Sequence, residues 1–542
     1  MTSQPHWRHL ATQKYQECQD KIPLEWRLPE DFVSSLPPTL LDADIPRRSG
    51  ILSDEELNIT ENYTARELLA KLADGSISSV LVTRAFSKRA AIAQQVTSCL
   101  TEIFFDKALE RAEYLDEYLE KHGKPIGPLH GLPISLKDSF CLEGIQTTIG
   151  YVSYLGHPLP EKNSALVDIL LDLGAVLYVK TNIPQTMMTA ESHNNIFNRA
   201  LNPHNTHLGA GGSSGGEGAL IAFRGSILGV GTDVAGSIRI PALCNGVYGF
   251  RPTVDRIPYG GQAKRMWAGV PSIKACAGPL GHSLEDLEMF MRCVVGVDPW
   301  RYDVNALSMG WSGIQEERKL RIGVLPVDEH YPLHPPVRRA LNKAVDELTR
   351  QGHTIVYLDD IPSRSLSLAS RIAFQYFFYR PKDNAITASG EPEIPSVAKC
   401  WSPMFTGPAV AEENADPFTQ ISQLYTARLA YCEAWRDAWM QNGLDAVVAP
   451  GSQSTAVPHD TFGWPSYTAI WNVLDYPCCI IPYGKASKEL DPEPMMVNDD
   501  QQPSYNPDEQ DGAPTSIQVI ARQFQDEKCL WAARIINNAL NR

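Results

Sequence analysis

Short apolar runs alternate with helix-like stretches along most of this chain, and that alternation constrains its fold more than any other feature. "LPISLKD" at 132–138 and "AVLYVKT" at 175–181 are apolar runs of strand length, the second preceded by the helix-like "SALVDILLDLG". Farther on, "RIGVLPVD", "PPVRRALNKAVDELTRQG" and "HTIVYLD" read as a strand, a helix and a strand. "DAVVAPG" at 445–451 and "CCIIPYG" at 478–484 add short strands that end in turns. Strands that stay apolar along their length belong in a sheet covered on both faces. The order predicts an α/β protein, and no internal repeat interrupts it.

Two segments stand outside this pattern. Residues 1–60 read as a helical and irregular extension: Trp7, Leu10, Ala11 and Cys18 share one helical face, and "LPEDFVSSLPPTLLDADIPRRSG" is too Pro-rich for regular structure. Its expected role is to pack along the main body, with a partner-binding arm as the alternative. Residues 61–542 then form the main domain, opened by a capping box at Thr64 and Glu67, with Asp74-Gly75 separating two helices. Near the C-terminus, "KELDPEPMMVNDDQQPSYNPDEQDGAP" is acidic and Pro-rich and reads as a solvated surface loop.

The net charge of -15 argues against nucleic acid or an anionic membrane as the main partner. The 11 cysteines are scattered, with no CxxC and no histidine pair at zinc spacing, so reduced thiols and no metal are expected. The first residues lack the basic-then-apolar pattern of a secretory signal, and Arg224 interrupts the apolar run nearest to spanning length. A cytoplasmic protein is the resulting expectation.

The chemistry concentrates in "GAGGSSGGEGALIAFRGSILGVGTDVAGSIRIPALCNG", residues 209–246, where serines sit in two Gly-rich turns. A phosphate-binding loop is excluded, because neither GxxxxGK[ST] nor GxGxxG occurs there. Gly211–Gly215 satisfies the G-x-S-x-G of a nucleophile elbow, but "LNPHNTHLGA" before it is no hydrophobic strand, and His459 reads as an isolated surface histidine. An S-x-x-K at Ser396–Lys399 lacks its companion S-D-N and K-T-G motifs and reads as a chance match. The remaining reading joins both serine sites to Lys137, which closes the run "GLPISLKD". Taken alone, such a lysine reaches water from a strand end.

"GLPISLKD", "GGSSGGEGA" and "GVGTDVAGSIRIPA" in that order, with Ser213 and Ser237 24 positions apart, resemble the amidase signature family. "KTNIPQTMMTAES", "LDYPCCIIP" and "GAPTSIQVIAR" extend the likeness from about residue 45 to the C-terminus, and "RRSGILSDEELNIT" is similar to the fungal acetamidase-like branch. The resemblance implies the amidase signature fold: a central twisted mixed β-sheet with helices on both faces. It also implies a serine hydrolase with Ser237 as acylated nucleophile, Ser213 as bridging serine after a cis Gly212–Ser213 peptide, and Lys137 as general base. Chemistry agrees, since a serine hydroxyl needs a base within about 3 Å and a lysine needs burial to serve as one near neutrality.

The same resemblance implies backbone donors for an oxyanion at Val234, Ala235, Gly236 and Ser237, with Met187 facing the scissile amide. Ser214, Asp233, Arg239 and Thr189 are the expected supports, with a plain surface ion pair as the alternative for Asp233 and Arg239. Ala235 departs from the family's usual glycine, which bears on substrate range. Tyr154, Trp401, Trp464 and Trp471 are candidate acyl-pocket aromatics, although each is as well explained as core. The expected activity converts a small-molecule carboxylic amide to acid plus ammonia or amine without cofactor. Small aliphatic amides lead, ahead of aryl or indole acetamides and larger metabolite amides. A non-catalytic scaffold and an ammonia-transferring subunit are the competing classes, and a homodimer stays open.

Overall fold

The computed structural model describes residues 6–263, 272–314, 316, 318–378, 385–400, 407–497 and 502–541. Its strands in chain order are β1 (Leu100–Ile103), β2 (Pro133–Lys137), β3 (Val176–Thr181), β4 (His193–Asn194), β5 (Asn198–Arg199), β6 (Leu228–Asp233) and β7 (Tyr248–Arg251). There follow β8 (Cys276–Gly281), β9 (Arg321–Val324), β10 (Thr354–Tyr357), β11 (Ala446–Pro450), β12 (Cys478–Lys485) and β13 (Pro514–Ile520). Eleven of them form one sheet in the order β1-β3-β2-β6-β8-β7-β12-β13-β11-β9-β10, and β4 pairs with β5.

The sheet is mixed. β2 runs parallel to β3 and β6, and β9 runs parallel to β10 and β11, whereas the central β8, β7, β12 and β13 pair antiparallel. Every residue of β2, β3, β6, β8, β11 and β13 is buried. Because successive strand side chains point to opposite faces, this burial means that both faces are covered. The expected strands at 132–138, 175–181, 445–451 and 478–484 all form, as does the strand–helix–strand unit of β9, helix Pro335–Arg350 and β10. The capping box at Thr64 and Glu67 closes in both directions, and Asp74-Gly75 lies between helices Ala65–Ala73 and Ser79–Thr97.

Two expectations need correction. The Pro-rich stretch before residue 50 is not wholly irregular: Glu30–Ser34 and Ile45–Arg48 are short helices, with Pro29 at the N-cap of the first and Pro46 in the first turn of the second. Proline suits those positions because it has no N–H to leave unpaired. The acidic C-terminal segment is not simply solvated either. Tyr505 is buried and its hydroxyl donates to Asp491 O at 3.0 Å, while Arg339 Nη2 reaches Asp491 Oδ2 at 2.6 Å.

The N-terminal helix His6–Asp20 buries Ala11 and Cys18 against Val152, Ile196 and Phe197, with Trp7 and Leu10 packed alongside. Lys14 Nζ meets Glu102 Oε1 at 2.7 Å, which ties this helix to β1. None of the eleven cysteines is joined in a disulfide. Among the described residues, no helix is long and apolar enough to cross a membrane.

Candidate active site

Parallel pairing of β2 with β6 brings the first two parts of the site together. Leu136 lies opposite Val230, so Lys137 and the Thr232–Asp233 end of β6 emerge on the same side of the sheet. Lys137 Nζ donates to Ser213 Oγ at 2.6 Å and lies 2.8 Å from Thr232 Oγ1. It is fully buried, which removes the reading of a strand-end lysine that reaches water. Burial lowers its pKa to about 7, opposed chiefly by the Asp233 carboxylate. An amine so placed is available as a base near neutrality.

Ser213 follows a cis peptide with Gly212 and precedes helix Gly215–Ala222. Glycine is required at 212, because a Cβ there would lie 2.5 Å from Thr189 O and 2.6 Å from Glu191 N. Ser214 joins the two serine turns: its N–H donates to Ser237 O at 3.3 Å, and its hydroxyl accepts from Thr232 N–H at 3.4 Å. Beneath them, Glu217 accepts from Ser135 Oγ at 2.6 Å and Thr181 Oγ1 at 3.0 Å. Burial pushes the Glu217 carboxyl up to about 8.

The second turn is organised by Asp233, whose carboxylate accepts from Gly236 N–H at 2.8 Å and Ile238 N–H at 3.1 Å. Arg239 donates to it from Nε and Nη2, each at 3.0 Å, and also reaches Gln518, Asn472 and Thr468 O. Both side chains are wholly buried, so the surface-pair alternative is excluded. The Arg239 guanidinium, acting against burial, holds the Asp233 carboxyl far below the usual range. The Gly236 N–H is thereby engaged within the turn. At Gly236, φ is +133° and a Cβ would strike Thr468 Oγ1, whereas Ala235 has no positive φ and its methyl needs no strained backbone.

Ser237 opens onto a cleft continuous with solvent, whose lining also includes Gly212, Met187, Thr189, Val234 and Ala235. Thr186 and Met187 both hold left-handed backbone, with φ of 78° and 56°, a conformation that non-glycine residues adopt only when their surroundings impose it. Thr189 Oγ1 donates to Glu191 O at 2.8 Å. Of the candidate aromatics, Trp464 lines the cleft and Trp471 is core, its ring 5.2 Å from that of Trp435. Tyr154 packs with its ring tilted against those of Tyr151 and His157 and does not line the cleft, and Trp401 lies outside the described residues.

Sequence reasoning missed Thr232 and the wall built by Phe374, Phe377, Phe378 and Phe462. Phe374 and Phe377 belong to helix Leu366–Phe378, an apolar segment far from any motif, and only its aromatic density could have pointed to it. His459 is not an isolated surface residue: Nδ1 lies 2.6 Å from Glu191 Oε1 at the cleft margin. Among the described residues, no group of three or more histidine, cysteine, aspartate or glutamate side chains could hold a metal ion.

The family model described as Amidase matches residues 81–530. An amidase of Gibberella moniliformis is 40% identical over 540 residues, covering 99% of both chains. An acetamidase of Emericella nidulans is 38% identical, covering 98% of both. Among solved structures, a fatty acid amide hydrolase superposes with a TM-score of 0.86 at 31% identity, over 99% of this chain and 95% of that one. The mixed sheet and these relatives define an enzyme of the α/β class that hydrolyses the carbon–nitrogen bond of carboxylic amides. The chain belongs to the amidase family, the amidase signature enzymes.

Proposed function

We propose that this enzyme hydrolyses its amide through an acyl-enzyme on Ser237, with Ser213 and Lys137 as a proton relay. The observation that carries the reading is the 2.6 Å contact of a buried Lys137 Nζ with Ser213 Oγ, beneath a cleft onto which Ser237 opens. In this scheme Ser237 Oγ attacks the amide carbon, its proton passes to Ser213, and the Ser213 proton passes to neutral Lys137. Collapse of the tetrahedral intermediate breaks the C–N bond as the relay returns a proton to the departing amine, because an amide anion is too basic to leave unaided. Water then attacks the ester, releases the acid and restores Ser237. The intermediate's oxyanion is assigned to the N–H groups of Val234, Ala235 and Ser237, since Gly236 N–H is held by Asp233.

The substrate assigned to this cleft carries an apolar acyl arm of aromatic size. Phe374, Phe377, Phe462 and Trp464 supply far more apolar wall than acetamide could cover. The small-aliphatic reading is supported by relatives named acetamidase, at 38% and 37% identity. No organic cofactor or metal enters the scheme. The same reading treats residues 61–542 as the catalytic unit, residues 1–60 as an extension packed upon it, and the cytoplasm as its compartment.

Labelling with a fluorophosphonate probe, followed by peptide mapping, tests the nucleophile: the label is expected on Ser237 and absent in Ser237→Ala. Undiminished labelling at another serine would refute the assignment. An amide panel from acetamide to phenylpropanamide and indoleacetamide, read by ammonia release, decides the acyl size.

A further inference from the structure

Glu391 belongs to no motif and does not line the cleft, yet it joins two of the cleft's walls. One wall is the turn Gln185–Met187, followed by Met188. The other is helix Pro395–Lys399, which supplies Ser396 and Lys399, with Cys400 at its C-cap. Glu391 is 4% exposed, and its carboxylate gathers three N–H donors from three segments. Oε1 accepts from Val152 N–H at 2.8 Å, while Oε2 accepts from Gln185 Nε2 at 2.9 Å and Asn195 Nδ2 at 2.8 Å. The same two amides donate to Pro392 O, at 3.1 and 2.8 Å. Gln185 Oε1 in turn accepts at 3.1 Å from the N–H of Ile394, the N-cap of the wall helix.

Every donor to this carboxylate is uncharged, including the Ser389 hydroxyl 3.3 Å from Oε1. Burying a carboxylate without a cation is costly, and burial pushes the Glu391 carboxyl up. The converging N–H groups offset that cost, and they suit a group that only accepts. A glutamine of the same shape would turn its NH2 toward at least one N–H donor. The clamp also bears on the strained turn. Thr186 and Met187 are left-handed, and Gln185 just before them is held through both ends of its amide.

We infer that Glu391 is a positioning residue that sets acyl specificity, because it locks helix Pro395–Lys399 to the Gln185–Met187 turn and so fixes the spacing of the cleft between them. This rests on the proposed reading of the cleft as the acyl pocket. The turn keeps bonds of its own, from Met187 N–H to Pro184 O at 3.1 Å and from Met188 N–H to Thr186 Oγ1 at 3.3 Å. Loss of the clamp therefore displaces the wall helix first. Cys400 spans the same seam, with Sγ 3.6 Å from Met188 O, so its thiol reports whether the seam is closed.

Glu391→Gln keeps the size of the side chain and breaks the clamp. Alkylation of Cys400 by iodoacetamide, resolved by peptide mass mapping, should quicken about fivefold. KM for phenylpropanamide should rise about tenfold with kcat changed by less than about twofold, since a wall remote from the reacting carbon binds ground and transition states alike. Asn195→Ala removes one donor and should move both readouts the same way by a smaller factor; it decides alone if Glu391→Gln does not fold. An unchanged Cys400 rate in these variants, or a fall in kcat with KM unaltered, would overturn the inference. Alkylation needs no turnover, so the two readings separate. Faster Cys400 labelling with phenylpropanamide inert in the parent enzyme would refute the acyl-pocket reading and leave the clamp standing.

Discussion

Thr232 Oγ1 lies 2.8 Å from Lys137 Nζ, and the two residues sit on adjacent parallel strands, β6 and β2. The Lys137 amine is thus bracketed by two hydroxyls: Ser213 on the Gly-rich turn and Thr232 on the sheet. With Thr232 as a fixed partner, the amine's free rotation is restricted to orientations that face Ser213. Thr232→Val keeps the shape and removes the hydrogen bond, and a bond of about 1 kcal/mol translates into a fall in kcat of about five- to tenfold. Unchanged kcat with a normal pH profile would show that the sheet hydroxyl does not steer the base.

In the proposed scheme the pH profile follows from Lys137. Its pKa is lowered to about 7 by burial, and only the neutral amine accepts a proton. Below that value the base is protonated, so kcat/KM should fall about tenfold for each pH unit and level off on the alkaline side. Lys137→Arg, charged at every accessible pH, should abolish amide turnover across the range. A rate that stays flat from about pH 5 to 9 would move the base elsewhere.

The buried pair of Asp233 and Arg239 shapes the second turn, and breaking it on one side leaves an uncompensated charge. Arg239→Met should lower unfolding stability by about 3–5 kcal/mol, read from denaturant midpoints at constant slope. The pH dependence has a definite sign. The Asp233 carboxyl titrates in the folded state far below its unfolded value, so its contribution is present above the unfolded pKa and is lost as pH falls through the folded one. A stability difference between Arg239→Met and the parent that does not shrink in acid would contradict this coupling.

What could be read from sequence follows from how local each feature is. The βαβ unit, the buried strands and the Thr64 capping box are written in neighbouring residues, so periodicity and cap chemistry find them. Lys137, Ser213 and Ser237 belong to separate segments, and the joint role proposed for them was legible only from three motifs taken in order. The cleft wall had no such signature: Phe374, Ser396, Phe462 and Trp464 come from separate segments, and each alone resembles core or chance. Glu191 and His459 meet across 268 positions, a pairing that no window along the chain contains.

Glu217 offers a test of the site's buried electrostatics. Its carboxyl, pushed up to about 8 by burial, is protonated at neutral pH in the folded enzyme and ionised in the unfolded chain. The folded state therefore binds the extra proton between the two values, and this group's stabilising contribution declines as pH rises from about 4.3 toward 8. Glu217→Gln is neutral at every pH and nearly isosteric. Relative to the parent, it should gain stability steadily between about pH 5 and 8, measured by urea midpoints across a buffer series. A constant offset over that window would mean that Glu217 is ionised where it lies.

In the proposed reading, Trp464 sets how well the cleft covers an aromatic acyl arm. Its ring centroid lies 5.7 Å from that of Phe374, and it lines the same cleft as Ser237, on the wall that the proposal assigns to an aromatic acyl arm. Removing the ring exposes to water about 70 Å² of apolar surface on a bound phenylpropanamide, worth about 1.8 kcal/mol or about twentyfold in affinity. Trp464→Ala should therefore raise KM for phenylpropanamide about twentyfold, with a much smaller change for acetamide and little change in kcat for either. Such a split identifies interactions made equally in ground and transition states, as expected for a pocket remote from the reacting carbon. Parallel losses on both amides, in a protein whose melting temperature is unaltered, would place the acyl arm in some other part of the molecule.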